Sequence, residues 1–473
     1  MNSTRFALTW NALETFGKQA VSIVTTIVLA RLLDPKDFGL IGMIYIFIAI
    51  ASTLVEGGFT SALIYKKKPT QNDYSSVFYI SIIISLFFYI LLFISSKFIA
   101  AFYDQPSLVQ IIRWLSLSLI FGSLSVVHYA IFSSNMNFKS IAEVGLIAQV
   151  IASVAAIVTA IGGFGVWALV VQYLVLNSFT PLLFFSKNVW WPSKTFKLKE
   201  VKALFSFGSH VMLTSLLNVI FNNIYNVVIG KFFNPIQLGY YVQAFKIQSI
   251  PADKIQQIIK RVTFPKLAQI SENKEEMSSY FLKIFKSSIL VNFALLIFIA
   301  GLSKQIVLIL LTQKWEPIVP FIRLLCFASL FLPLFELCSN VILSKGKSLL
   351  NFKIELLKKV LIVFNILVMF KWGIIGLIIG QIINSILFLV IQYYFTKQFL
   401  VIHLKDLIVS LLKYFIVAII PYVIITWLMS VFTLNIYLEF IVYTTVYFLL
   451  FILLVFSFRL NQGYNFNMFL KNK

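Results

Sequence analysis

The chain has 473 residues, of which 60% are hydrophobic and 12% are charged, and its mean hydropathy is +0.93. Apolar segments recur along it at about the ~20 residues that an α-helix needs to cross a bilayer. The composition therefore predicts an all-α, polytopic membrane protein and excludes an ordinary soluble enzyme.

Hydropathy predicts thirteen membrane helices along the chain. They lie near residues 9–33, 38–62, 77–99, 108–133, 141–162, 165–186, 204–232, 281–303, 317–343, 353–372, 374–396, 409–430 and 436–458. The first is expected to stay in the mature protein, because no cleavable signal peptide is recognisable. The segment 237–260 is too polar for hydropathy to identify, but it follows a repeated turn and brings the predicted number to about fourteen.

The repeated turn reads RLLDPKDFG at residues 31–39 and KFFNPIQLG at 231–239. In the first copy Asp34 can cap the next helix, Pro35 suits its first position, and Asp37 completes a capping box. The second copy has Asn, Pro and Gln at the same places. Each copy therefore joins two helices.

Two further pairs of segments indicate that the chain is a duplication. Arg113 and Arg323 lie in similar IIRWL and FIRLL segments, and GVWALVV at 165–171 resembles GIIGLII at 373–379. Six helices return a chain to its starting side, so both copies are expected to share one orientation. The predicted division is a six-helix lobe at 1–198, its repeat at 199–400, and two extra helices with a cytoplasmic tail at 401–473.

The net charge of +22 is distributed unevenly over the predicted loops. Connections after even-numbered helices hold 24 Lys and Arg residues, and those after odd-numbered helices hold seven. The positive-inside rule then predicts that both termini lie in the cytoplasm. Topology and anionic lipids explain this basicity, so nucleic acid is not an expected partner.

Sequence signatures of soluble catalytic domains are absent. There is no phosphate-binding glycine loop and no zinc-spaced Cys and His set, and the longest clearly polar connection, 261–280, is short. Cys326 and Cys338 are predicted in one helix, too far apart to form a disulfide. We therefore expect no enzyme activity, no cofactor and no metal. If the chain moves a cargo, an H⁺ or Na⁺ gradient is the expected source of energy.

Polar side chains recur on one face of two predicted helices that the repeat makes equivalent. The first helix carries Asn11, Thr15, Lys18, Ser22 and Thr25, and the seventh carries His210, Thr214, Asn218, Asn222 and Asn226. Two interpretations stay open, a water-filled central cleft and hydrogen bonding between packed helices.

Candidate site residues follow from these polar faces and from charges within the spans. The expected substrate-binding residues of the cleft are Lys18, Lys246, Asn11, Ser22, Asn218 and Asn222, and the ion-coupling candidates are Glu14, Glu56 and Glu336. Lys18 either contacts an anionic cargo or only pairs with Glu14 at i,i+4. Each acid is either a coupling group or a buried structural acid.

Several motifs between about residues 6 and 320 resemble a known family. LARLLDPKDFGL, GGFTSALI, FYDQPSL, MNFKSIAE, GFGVWALVVQ, GYYVQAFKIQSIP and VTFPKLAQIS are similar to the Wzx-like polysaccharide-export flippases of the multidrug/oligosaccharidyl-lipid/polysaccharide exporter superfamily. The resemblance implies two six-helix lobes, alternating access, and transfer of a polyprenyl-pyrophosphate-linked oligosaccharide to the outer leaflet for surface polysaccharide or O-antigen synthesis. Polysaccharide polymerase and chain-length machinery are implied partners, and no motif assigns a site residue.

Two other classes remain in consideration. An ion-coupled drug or small-molecule antiporter of the same superfamily would favour an apolar cleft that contains an acid. A membrane polymerase or ligase acting on lipid-linked glycans would be expected to carry a long outer loop, whereas the predicted outer connections are short.

Overall fold

The computed structural model describes residues 2–187, 189–431 and 435–458, with the side chains of 2–9, 11 and 12 left undescribed. Its contacts divide the chain into two compact units, Met1–Val242 and Gln243–Lys473. Every regular element among the described residues is a helix, so the predicted all-α fold is confirmed. The predicted lobe boundaries at 198 and 400 stay a prediction.

The helices of the first unit are α1 Asn2–Leu32, α2 Pro35–Glu56, α3 Phe59–Tyr65, α4 Gln71–Phe102, α5 Leu108–Leu115, α6 Leu117–Ser123, α7 Val126–Ser134, α8 Phe138–Ile161, α9 Trp167–Ser186 and α10 Leu198–Phe232. Helix α11, Pro235–Gln269, begins in the first unit and continues into the second. The second unit continues with α12 Lys274–Gly301, α13 Ser303–Ile306, α14 Val319–Ala328, α15 Leu332–Ser344, α16 Ser348–Met369, α17 Gly373–Thr396, α18 Leu404–Val431 and α19 Ile436–Ser457.

Among the described residues, eleven segments are long and apolar enough to cross a membrane. One of them, Ser348–Phe399, contains both α16 and α17. Helices α1 and α11 lie outside this set, and α11 is continuous across the polar stretch 237–260, as the repeat predicts. The helices are therefore consistent with the predicted fourteen.

Three predicted spans are present as membrane-crossing segments but are each divided into shorter helices. The span 38–62 breaks at Gly57 and Gly58, which have φ values of +56° and +69° in the left-handed region. The span 108–133 forms the three short helices α5 to α7, and 317–343 forms α14 and α15, which places the buried Cys326 and Cys338 in different helices. Hydropathy averages over a window and does not detect such breaks.

The repeated turn forms the caps that its sequence predicts. The Asp34 N–H donates to Asp37 Oδ2 at 3.0 Å in a capping box, and the Gln237 N–H donates to Asn234 Oδ1 at 2.8 Å. Each cap satisfies a backbone group that the start of a helix would leave unpaired.

The starts of α2 and α11 cross each other inside the first unit. A Cβ added at Gly39 would lie 1.7 Å from the Pro235 carbonyl oxygen, and one added at Gly239 would lie 1.9 Å from the Pro35 carbonyl oxygen. The contact is reciprocal between residues that the repeat pairs, as expected at a pseudo-two-fold axis. Only glycine allows two helix backbones to approach this closely.

A second internal similarity involves the two arginines of the repeat. Arg113 Nε donates to Ser96 Oγ at 3.2 Å in the first unit, and Arg323 Nε donates to Ser303 Oγ at 3.1 Å in the second. Ser96 lies in the last two turns of α4, and Ser303 lies two residues after the end of α12. The arrangement supports the duplication inferred from the sequence.

Ion pairs and a ring stack hold the N-terminal part of α10 against the turn between α3 and α4. Lys66 Nζ contacts Asp73 Oδ1 at 2.6 Å and Glu200 Oε2 at 3.5 Å, and the Tyr65 and Phe207 rings stack with centroids 4.5 Å apart. Desolvation lowers the pKa of the Lys66 ammonium, but its hydrogen bond to Asp73 and the two carboxylate charges outweigh this and raise the pKa overall. These contacts fix the position of the N-terminal part of α10 within the first unit.

Candidate functional site

The polar face of α1 packs partly against α8. Thr25 is buried and its hydroxyl donates to Ser153 Oγ at 2.7 Å. For Thr25 the structure therefore favours the second interpretation, hydrogen bonding between packed helices. Further along α1, Lys18 Cε and Nζ lie over Gly145, where an added Cβ would be 2.1 Å from each.

Lys18 forms an ion pair within its own helix. Its Nζ lies 2.7 Å from Glu14 Oε1, with the Lys18 side chain 38% exposed and the Glu14 side chain 16% exposed. The pair agrees with the predicted i,i+4 geometry, and the exposed ammonium can still meet a ligand. Ser22 is half-buried on the same helix, and the Asn11 side chain lies outside the described residues.

The polar face of α10 is open in the first unit. His210, Thr214, Asn218 and Asn222 are exposed, whereas Asn226 is half-buried and donates to Asn223 Oδ1 at 3.3 Å. Asn218 and Asn222 are therefore available to a ligand on that face, but contact with substrate stays a prediction.

A polar cavity of about 320 Å³ lies inside the first unit. Its walls come from α2, α3, α6, α7 and α9 and the turns beside them. The polar lining residues are Ser52, Glu56, Thr60, Ser118, Ser123, Ser125, Tyr129, Tyr173, Asn177 and Thr180. The cavity is open on one side, because Ser52 and Glu56 in its wall are exposed. Its volume accommodates on the order of ten water molecules.

Glu56 is the one acidic side chain in the cavity lining and no basic side chain is present there. Among the described residues, no hydrogen bond or ion pair is made by the Glu56 side chain. Tyr129 also lines the cavity, so its phenol and the Glu56 carboxylate border the same space.

Sequence reasoning missed most of this cavity lining. Thr60, Tyr129 and Asn177 were not candidates, because each is unremarkable in its own helix. A signal was nevertheless present in the segment SLSLIFGSLS at 116–125, where four serines interrupt an apolar span. Three of them line the cavity.

The remaining site candidates belong to the second unit. Glu336 is 18% exposed and its Oε1 lies 3.9 Å from Lys260 Nζ. Lys246 is half-buried on α11, and its placement beside the cargo stays a prediction. Nearby on α16, the buried Lys358 pairs with Glu355 at 2.7 Å. Glu336 therefore has a cationic neighbour, unlike Glu56.

Side chains that could bind a metal are scattered in the part of the chain that the structure describes. No three His, Cys, Asp or Glu side chains are grouped there in a way that could hold a metal ion. The Cys326 and Cys338 thiols are buried and unbridged. The arrangement instead offers polar faces on α1 and α10 and, within the first unit, one cavity whose lining includes a single acid.

Comparison with known proteins agrees with this architecture. The structure resembles the lipid II flippase MurJ in its inward closed conformation, with a TM-score of 0.79 and 16% identity over 96% of this chain and 99% of that one. Two sequence relatives are each 25% identical. The teichuronic acid biosynthesis protein TuaB of Bacillus subtilis (strain 168) aligns over 72% of this chain and 71% of its own. The lipopolysaccharide biosynthesis protein WzxC of Escherichia coli (strain K12) aligns over 80% and 78%.

The fold is thus that of a multi-pass membrane protein built like the MurJ flippase. The sequence pattern of one family, described as polysaccharide biosynthesis protein, matches residues 28–320, which is more than half of the chain. The chain belongs to that family, and the resemblance drawn from its motifs is confirmed.

Proposed function

We propose that the protein is a flippase that moves a polyprenyl-pyrophosphate-linked oligosaccharide from the cytoplasmic to the outer leaflet of a bacterial cell membrane. The observation that carries the proposal is the family match over residues 28–320. Two relatives named for teichuronic acid and lipopolysaccharide biosynthesis support the glycan class. The whole-length likeness to MurJ supports a fold able to carry a lipid-linked cargo.

The physical argument concerns the two ends of such a cargo. A sugar-pyrophosphate head is charged and hydrated, so crossing hydrocarbon unaided is prohibitively costly, whereas a polyprenyl tail can remain in the bilayer. A flippase needs a polar surface at membrane depth for the head. Lys18 on α1 and the exposed Asn218 and Asn222 on α10 provide cationic and amide groups of this kind. Lys246 is proposed as a second cation for the pyrophosphate.

The basic loops support the proposed orientation and partners. Connections rich in Lys and Arg suit the cytoplasmic side and bind anionic lipids, and this charge asymmetry supports a topology with both termini in the cytoplasm. A polysaccharide polymerase and chain-length machinery are proposed partners, since a translocated repeat unit needs an enzyme that joins it to others. No enzyme activity is proposed for the chain itself.

Translocation in proteoliposomes tests the function directly. The purified protein is reconstituted with a fluorescent lipid-linked oligosaccharide, and an added glycosidase reports the fraction of head groups in the outer leaflet. We expect the accessible fraction to rise with time beyond that of protein-free liposomes. Equal rates with and without protein, for glycans of several compositions, would argue against a flippase.

A further inference from the structure

We infer that the cavity of the first unit binds one uncharged sugar ring of the glycan cargo, which rests on the proposed function. The first observation is the size of the cavity. Its volume of about 320 Å³ lies at the lower end of the ~300–1,000 Å³ typical of ligand pockets, so it can enclose a small part of an oligosaccharide and not the whole. Because Ser52 and Glu56 in its wall are exposed, the cavity is open on one side and the rest of the glycan can continue outside.

The second observation is the hydrogen-bonding capacity of the lining. Sugar hydroxyls both donate and accept hydrogen bonds, so a site for them needs donors and acceptors side by side. The Glu56 carboxylate supplies acceptors, and the Asn177 amide, which is held in place by a bond from Nδ2 to the Tyr173 carbonyl oxygen at 2.8 Å, supplies both. Glu56 and Thr60 make no side-chain hydrogen bond or ion pair among the described residues. Both are therefore available to a ligand.

The third observation is that two tyrosine side chains border the same space. Tyr129 of α7 and Tyr173 of α9 line the cavity, and Tyr129 is 45% exposed. A pyranose ring has an apolar C–H face as well as its hydroxyls, and a tyrosine offers a flat apolar ring with a polar tip that matches both. The cavity therefore combines aromatic surface with hydrogen-bonding groups, which is the combination that a sugar ring needs.

The charge of the lining decides which sugars fit. Among the described residues that line the cavity, Glu56 is the single carboxylate and none is Lys, Arg or His. The neighbouring His128 packs its ring against Phe185 and Trp190. A sugar carboxylate or phosphate would therefore lie near a like charge with no cation in the lining to offset it, which weakens binding. An uncharged ring avoids this repulsion, and its hydroxyls can donate to the Glu56 carboxylate.

The anionic part of the cargo is bound elsewhere under the proposed function. Lys18, the proposed partner of the pyrophosphate, is not among the residues that line the cavity. The residues that bind the sugar and those that bind the pyrophosphate are therefore separate sets, and either set can be changed while the other is kept.

Binding is measured on the purified full-length protein in detergent, without any transport. The probes are methyl glycosides of neutral hexoses and N-acetylhexosamines, each compared with the uronic acid and the free amino sugar of the same ring configuration. Saturation-transfer NMR detects the weak binding of a single ring and the competition between two probes. We expect saturable binding of at least one neutral glycoside, with an affinity roughly tenfold or more above that of the matched uronide.

Glu56→Gln keeps the side-chain shape and removes the negative charge. This variant should bind the neutral glycoside up to about tenfold more weakly and lose most of the preference over the uronide, which a purely structural role of Glu56 would not produce. Tyr129→Ala should weaken the binding of every glycoside. Its matched control is Tyr89→Ala on α4, because Tyr89 lies outside the lining and contacts Phe93, with ring centroids 5.9 Å apart. The control should bind like the wild type.

Three results would each overturn the inference. They are a failure of every neutral glycoside to bind, stronger binding of the uronide or of the amino sugar, and a preference that Glu56→Gln leaves unchanged. Each of them leaves the flippase proposal standing, because translocation in proteoliposomes is measured separately. Conversely, a protein that binds a neutral glycoside in this way but moves no lipid-linked oligosaccharide would keep the sugar site and lose the flippase function.

Discussion

Gly39 lies where α2 and α11 cross, and we expect one added methyl group there to lower the free energy of unfolding strongly. In Gly39→Ala the new Cβ would lie 1.7 Å from the Pro235 carbonyl oxygen, whereas real Cβ atoms essentially never come within 3.0 Å of another group. The backbones would have to separate by about 1.3 Å, and backbone cannot rotate away as a side chain can. Overpacking of this kind costs about 1–3 kcal/mol.

Two smaller contributions modify this value. The close approach allows Cα–H···O contacts between each glycine and the opposite proline carbonyl, worth about 0.5–1 kcal/mol each, and separation weakens both. Replacing Gly by Ala inside a helix returns up to about 1 kcal/mol of helix propensity. We therefore expect Gly39→Ala to lower the free energy of unfolding by about 1–3 kcal/mol.

Gly42→Ala is the matched control on the same helix. Its Cβ would meet Val242 Cγ2 at 3.1 Å and Leu238 Cδ2 at 3.3 Å, which are methyl groups that can shift. Unfolding of the purified proteins in mixed micelles of increasing SDS content measures both variants. Gly39 and Gly239 lie at the same helix crossing, so one separation of the two backbones accommodates both methyl groups. The double alanine variant should therefore lose less free energy of unfolding than the sum of the losses in the two single variants. Equal stability of Gly39→Ala and Gly42→Ala, or strict additivity of the pair, would refute this reasoning.

Three further predictions concern α1 and the topology. If Lys18 contacts the cargo, Lys18→Ala abolishes glycan export at normal membrane abundance, whereas Lys18→Arg retains part of the export and Glu14→Gln is tolerated. If export is instead restored when Lys18→Ala and Glu14→Gln are combined, Lys18 and Glu14 form only a structural pair. Thr25→Val should lower the free energy of unfolding by about 0.6 kcal/mol, an average value for a hydrogen bond between membrane helices. If Thr25→Val causes the same loss in a protein that already carries Ser153→Ala, the hydrogen bond between Thr25 and Ser153 is not the cause of that loss. Reporters fused after residues 68, 198 and 350 should read cytoplasmic and those after 104 and 234 external, and an external signal at 350 would contradict the fourteen-helix topology.

Local sequence determined the features that depend on neighbours along the chain. The Asp34 cap, the i,i+4 pairing of Glu14 with Lys18, and the helical state of the polar segment 237–260 were all predictable and are all present. Helix periodicity and capping involve residues within one turn, so their geometry is fixed once the helix forms. The family resemblance was likewise readable, because its motifs are continuous stretches of sequence.

Tertiary structure decided which distant residues meet. Nothing in the pattern of α1 showed that Thr25 would bond Ser153, and nothing in the repeated turn showed that Gly39 and Gly239 would touch. Glu56 and Glu336 looked equivalent in the sequence. Only packing gave Glu336 a cationic neighbour in Lys260 and left Glu56 without a cation among the described residues. The physical reason is that packed membrane helices meet along surfaces set by backbone approach and side-chain shape, and these depend on residues more than a hundred positions apart.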